Sequence, residues 1–277
     1  MKKLICYLLL SFLFVSISQG QNAFRVERKG TGKPILFLPG FGSSGDVWDP
    51  LISKFPEHES ITLTYAGFDG VSPIEFPWYS QISDQLINFV KENNLNGLTV
   101  VGHSMGGNLA VELAKAIPDR IAQIIIVDAL PCMREVMMPG VPASAFAYDS
   151  PYNDQLLKMN TTDFESYASQ MAQGMASNVK DQELLKEWFL AADRQVFVNG
   201  YTDLLKLDLR DGMESIVAPV LILVADQPFG DQALETMKIQ YQGLKNKEFK
   251  MAKNSRHFIM MDQPEWMAQE LQRFIEQ

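Results

Sequence analysis

Between Leu98 and Ile117 the chain passes from a mostly apolar run, Leu98–Val101, through Gly102-His103-Ser104-Met105-Gly106-Gly107 into a helical stretch stopped by Pro118. A strand that turns into a helix within so few residues needs glycines where neighbouring segments approach closely. It also leaves the serine exposed at the C-terminal edge of a sheet. The free N–H groups of the helix's first turn then face that spot and favour negative charge there. In a chain with this much glycine and serine, a Gly-x-Ser-x-Gly match arises by chance about 0.07 times. Match and setting together make Ser104 a candidate nucleophile.

The flanking sequence repeats the same strand-then-helix rhythm. Phe24 and Val26 alternate with Arg25 and Glu27, Ile35–Leu38 is a short apolar run, and Ile61, Leu63 and Tyr65 alternate again. Leu86, Ile87, Phe89 and Val90 fall on a helix. Ile124–Val127, Pro219–Ala225 and Glu248–Met251 read as further strands, and Pro264 opens a last helix carrying Trp266, Met267, Leu271 and Phe274. Such alternation predicts an α/β fold with a mostly parallel central sheet and helices on both faces. Residues 21–130 and 212–277 form this core. Between 131 and 211 the strand signal stops: Thr162 and Glu165 make a capping-box pattern, and Phe164, Tyr167, Ala168, Met171 and Met175 follow at helical spacing. Leu184–Phe189 and Phe197–Leu205 suggest two more helices. A helical cap or lid inserted into the core is expected, its methionines forming either an adaptable wall or ordinary packing.

The first 20 residues read as an export signal: Lys2 and Lys3, an apolar run from Leu4 to Ile17, then Ser18-Gln19-Gly20 with cleavage before Gln21. A run of fourteen residues is short for a bilayer core, so a removable leader is expected rather than a stable anchor, and the destination is periplasmic or secreted. Cys132 is then the only cysteine, which excludes an internal disulfide. Losing Lys2 and Lys3 takes the formal net charge from −9 to −11. An acidic surface of that kind repels phosphate and anionic lipid, which argues against nucleic-acid or membrane-surface partners.

A serine hydroxyl needs a base, and the chain offers three histidines. His103 neighbours Ser104, where successive side chains diverge, and is expected to pack and orient the turn. His58, in the polar loop Pro56–Ser60, is expected to be solvated. His257, after the last strand and before a helix, is left as the base. The backbone N–H of Met105, one residue past the nucleophile, is the expected first oxyanion donor. Three scattered histidines and one cysteine make no metal-ligand cluster, and neither metal nor cofactor is expected.

These features resemble the α/β-hydrolase superfamily over nearly all of the chain beyond the leader. They are most similar to its capped esterase, lactonase and perhydrolase branch with serine nucleophiles. The order serine first, histidine last is similar too. Resemblance to the family's His-Gly-X turn implies Phe41 N–H as the second oxyanion donor, with Pro39 standing where the family commonly has histidine. It also implies an orienting acid, and here three aspartates compete. The family's usual G-x-x-D pattern, laid on Ala225-Asp226-Gln227, puts Pro228 at the acid position, with Asp226 two residues early and Asp231 three late. A minority of relatives carry the acid after the preceding strand, where Asp128 stands. The expected activity is that of an exported, cofactor-free serine hydrolase acting on a small or medium uncharged ester or lactone. The alternative is a small-molecule receptor on the same fold with little or no turnover. Neither reading speaks to oligomeric state.

Overall fold

The computed structural model describes residues 22–277; the leader read from residues 1–20 lies outside them. Seven strands form one sheet in the order β1-β3-β2-β4-β5-β6-β7. They are β1 (Phe24–Lys29), β2 (Lys33–Leu38), β3 (His58–Tyr65), β4 (Leu98–His103), β5 (Ile121–Val127), β6 (Val220–Ala225) and β7 (Lys247–Ala252). Only β1 runs antiparallel, against β3; every other pairing is parallel. Parallel strands in the middle of such a sheet are covered on both faces, which is why β4 and β6 are buried at every residue and read as apolar runs rather than as alternation.

Helices connect the strands: α1 (Asp49–Ile52), α2 (Trp78–Glu92), α3 (Met105–Ala116), then α4 (Met133–Met137), α5 (Pro151–Lys158), α6 (Thr161–Met175), α7 (Val179–Ala191) and α8 (Tyr201–Lys206). After β6 come α9 (Asp231–Gln240), α10 (Ile259–Asp262) and α11 (Pro264–Ile275). From β2 the chain goes to β3 on one side and later to β4 on the other. That reversal opens a crevice beyond the carboxyl ends of β2 and β4, the usual position for a ligand in an open α/β sheet. Among the described residues no helix is long and apolar enough to cross a membrane.

Between β5 and β6 the chain forms α4 to α8 and no strand. Two of these, α4 and α5, are too short to show a periodic pattern and lie beyond the three helices read from sequence. The capping box expected at Thr162 and Glu165 is not what starts α6. Thr162 is already inside the helix, and Asn160 caps it, its side chain accepting from Asp163 N–H at 2.9 Å. The insertion is tied to the core through buried Asp203 on α8. The N-cap position of α2 is Pro77, whose side chain makes no capping bond. Asp203 Oδ2 instead accepts the Trp78 and Tyr79 N–H groups at 2.8 and 3.2 Å, while Tyr148 donates to Oδ1 at 2.5 Å. An anion at a helix N-terminus also suits the helix dipole.

Candidate active site

Ser104 sits between β4 and α3 with φ +51° and ψ −119°, a conformation that an L-residue rarely holds and that costs about 1–3 kcal/mol. The surroundings enforce it. Ser104 N–H donates to Val127 C=O on β5 at 2.9 Å, and its carbonyl accepts Gly107 and Asn108 N–H at 2.9 and 3.3 Å. The flanking glycines are needed for space: a Cβ at Gly102 would lie 2.2 Å from Gly106 O, and one at Gly106 would lie 2.1 Å from Leu38 O. This turn starts α3 at Met105, three residues before the Asn108 read from periodicity. Met105 is thereby the first residue of α3, where an N–H has no intrahelical acceptor.

Asp128 follows β5, also with positive φ (+46°), a region aspartate tolerates better than most residues. Its N–H donates to Leu223 C=O at 2.8 Å and its Oδ1 accepts Ala225 N–H at 3.0 Å, which fixes the carboxylate across the β5–β6 gap. Oδ2 then lies 2.7 Å from His257 Nδ1. A carboxylate can only accept here, so Nδ1 carries the proton and Nε2 is left with its lone pair. The other two aspartates are elsewhere. Asp226 Oδ1 accepts Ser255 N–H at 3.1 Å and so holds the backbone two residues before His257. Asp231 begins α9 with a side chain 90% exposed, 3.7 Å from Lys253 Nζ.

Ser104, His257, Asp128, Phe41 and Met105 all border one cavity of about 710 Å³. The Phe41 ring is locked by Phe68, Trp78 and Phe197 at centroid distances of 5.0, 5.7 and 5.8 Å, which fixes the loop after β2. The insertion supplies the opposite wall, including Met133, Met137, Met171 and Met175. Tyr201 hydroxyl points its donor at the sulfurs of Met133 and Met137, at 3.7 and 3.8 Å. Among the described residues, no Lys, Arg or Glu lines the cavity. Among the described residues, no three His, Cys, Asp or Glu side chains gather as metal ligands would.

The other two histidines divide. His58 is not a loop residue in solvent; it opens β3, half-buried, with its ring edge-on to Phe55 at 6.2 Å. His103 is fully buried, 4.5 Å from the His257 ring between centroids. Its Nε2 lies 3.0 Å from the carbonyl of His257, so Nε2–H donates there, while buried Nδ1 has no hydrogen-bond partner among the described residues. Burial first, and the adjacent His257 second, push its pKa well below the ordinary histidine value. Below about pH 6.5 the unfolded chain therefore binds a proton that the folded chain refuses, and folding stability falls by up to about 1.4 kcal/mol per pH unit as pH drops. Denaturant melts between about pH 7 and pH 5 should show this slope, and His103→Gln should flatten it.

The family model for alpha/beta hydrolases matches residues 35–270. Among curated proteins, the pimeloyl-[acyl-carrier protein] methyl ester esterase of Aliivibrio salmonicida is 24% identical over 198 residues, covering 70% of this chain and 74% of that one. The (E)-2-((N-methylformamido)methylene)succinate hydrolase of Acinetobacter baylyi is 22% identical over 266 residues, 95% of this chain and 97% of that one. Of solved structures, an esterase from Exiguobacterium antarcticum superposes with a TM-score of 0.77 at 17% identity, covering 92% of this chain and 96% of the other. Est816, described as an N-acyl homoserine lactone degrading enzyme, gives 0.73 at 18% identity over 91% and 96%. At such identities the structural likenesses speak for the fold.

Proposed function

Since this chain belongs to the alpha/beta hydrolase family, we propose that it is an exported serine hydrolase that cleaves a small or medium uncharged ester or lactone. The observation that carries the reading is the 2.7 Å contact between His257 Nδ1 and Asp128 Oδ2 beside a cavity that also holds a strained serine. With Nδ1–H engaged, His257 Nε2 takes the proton of Ser104 as its Oγ bonds to the substrate carbonyl carbon. Phe41 and Met105 N–H groups stabilise the resulting oxyanion. Collapse breaks the carbon–oxygen bond to the alcohol, which leaves with the proton from His257. Water, deprotonated by His257, then attacks the acyl-serine and releases the acid and Ser104.

The curated relatives named above are an esterase and a hydrolase, which supports ester hydrolysis as the class. The methionine-rich lining, to which the described residues contribute Asp128 but no Lys or Arg, supports a substrate without charge, because a carboxylate or phosphate arm would be desolvated there with no cation to meet it. Export rests on the N-terminal pattern alone. Sequencing of the protein from its host should return a chain starting near Gln21, and an intact Met1 would remove that part of the reading.

An organophosphonate ester should attach covalently to Ser104 and to no other serine. Peptide mapping should find the adduct absent in Ser104→Ala and much slower to form in His257→Ala. Labelling elsewhere, or at an unchanged rate without His257, would mean the two do not act together. Turnover of p-nitrophenyl acetate by the unmutated chain separates the hydrolase from a receptor that merely binds.

A further inference from the structure

His257 lies outside the sheet, on the short connection from β7 to α10, where no strand ladder holds its backbone. A backbone group from each of three consecutive residues, Arg256, His257 and Phe258, is nonetheless bonded to something different. The carbonyl of His257 accepts from His103 Nε2–H at 3.0 Å, a tie to the Ser104 turn. The N–H of Phe258 donates to the carbonyl of Met175, the last residue of α6, at 3.0 Å. The N–H of Arg256 donates to Asp262 Oδ2 at 2.7 Å. That carboxylate also reaches into the insertion: Ser177 N–H donates to Oδ1 at 2.8 Å and Ser177 hydroxyl to Oδ2 at 3.0 Å. Arg256 Nη1, at 3.4 Å from the carbonyl of Gly174, adds a longer contact to the same helix end.

We propose that Asp262 is a positioning residue for His257, clasping the histidine-bearing loop to the C-terminal end of α6. The proposal rests on the serine-hydrolase reading above. Asp262 touches neither the cavity nor the reacting atoms; it acts through the backbone. An ionised carboxylate accepting three donors makes bonds stronger than neutral ones, and two of those donors come from a segment more than eighty residues away in the chain. The Asp128 contact orients the imidazole, and the clasp adds a charged tie to the bonds that His257 and Phe258 already make, restricting movement of the loop where a misplacement of about 1 Å in a reacting group can cost on the order of 10²-fold in rate. The helix held by the clasp is also cavity wall, through Gln170, Met171 and Met175. The base is thus mounted on the surface against which a substrate's apolar arm would lie.

The test is the rate at which a p-nitrophenyl phosphonate labels Ser104 in the full chain, measured for Asp262→Ala alone and in the His257→Ala background, with melting curves and with kcat and KM on p-nitrophenyl butyrate. We expect folded Asp262→Ala to label roughly 10–100-fold more slowly, with kcat falling in parallel and KM within about threefold of the parent. In the His257→Ala background the same substitution should change labelling by less than about twofold, because a residue that acts through the histidine has nothing left to act on. An unchanged rate in Asp262→Ala, or an equal loss in both backgrounds, would overturn the proposal. Should Asp262→Ala not fold, Ser177→Ala, which removes only a surface hydroxyl, goes through the same pair of backgrounds. A smaller loss confined to chains with His257 supports the clasp, and no loss overturns it. No labelling of the unmutated chain would overturn the hydrolase reading itself, and this inference with it.

Discussion

Ser104→Ala is expected to lower kcat for p-nitrophenyl acetate by roughly 10⁵-fold or more, with His257→Ala nearly as damaging and the double substitution no worse than either. Non-additivity is the informative part. If serine and histidine form one proton-transfer unit, removing either already removes the pathway, and only background turnover from the oxyanion donors and binding remains. Multiplicative losses would mean that the two contribute separately. The backbone at Ser104 adds a second readout. Because its φ of +51° strains any residue with a Cβ, Ser104→Ala should melt close to the parent, while Ser104→Gly should be more stable by about 1 kcal/mol and equally inactive. Gain of stability with loss of turnover would mark the strain as something retained for activity.

Asp128→Asn is expected to lower kcat by roughly 10²–10⁴-fold with KM nearly unchanged. The substitution is close to isosteric, and its amide oxygen can still accept Ala225 N–H, so the melting curve should move little. What changes is the group facing His257 Nδ1 at 2.7 Å. An amide NH₂ there can only donate, which favours the ring tautomer with its proton on Nε2, and such a ring cannot receive the serine proton. Asp226→Asn and Asp231→Asn should each cost less than about tenfold. In the first, an amide oxygen can still accept Ser255 N–H; in the second, the side chain is almost entirely in solvent. Near-normal kcat in Asp128→Asn together with a loss of several orders in Asp226→Asn would reverse this assignment.

The turn around Ser104 is readable in the sequence because its constraint is local: glycines at 102 and 106 answer contacts within a few residues or with the adjacent strand. His257 can be singled out as the candidate base because only three histidines exist. The competing aspartates are not separable that way. Asp128 and Asp226 both follow apolar strands, and β5 and β6 are parallel neighbours in which Val127 pairs with Leu223. Both strands therefore deliver an acid to the same edge of the sheet. What distinguishes them is the direction each side chain takes, set by a positive φ at 128 and by a loop bond at 226, and neither leaves a mark in composition or periodicity. The same holds for Asp203 and Asp262. Each of them bonds a partner distant in the chain, and the sequence shows only an ordinary polar residue.

The bond from Asp203 to the start of α2 has a consequence for how freely such a protein can be recombined. An insertion between two strands looks like a module that could be deleted or exchanged for another with a different binding wall. Here, cutting it out would strip two buried amides at Trp78 and Tyr79 of their acceptor, and Pro77 has no side-chain oxygen to replace it. A donor insertion must bring an acidic side chain to that point, or Pro77 must be changed to a residue that can cap the helix itself. The boundary of exchange therefore runs through α2 as well as through the segment between β5 and β6, and a chimera drawn only from the linear sequence would leave the core helix frayed at its buried end.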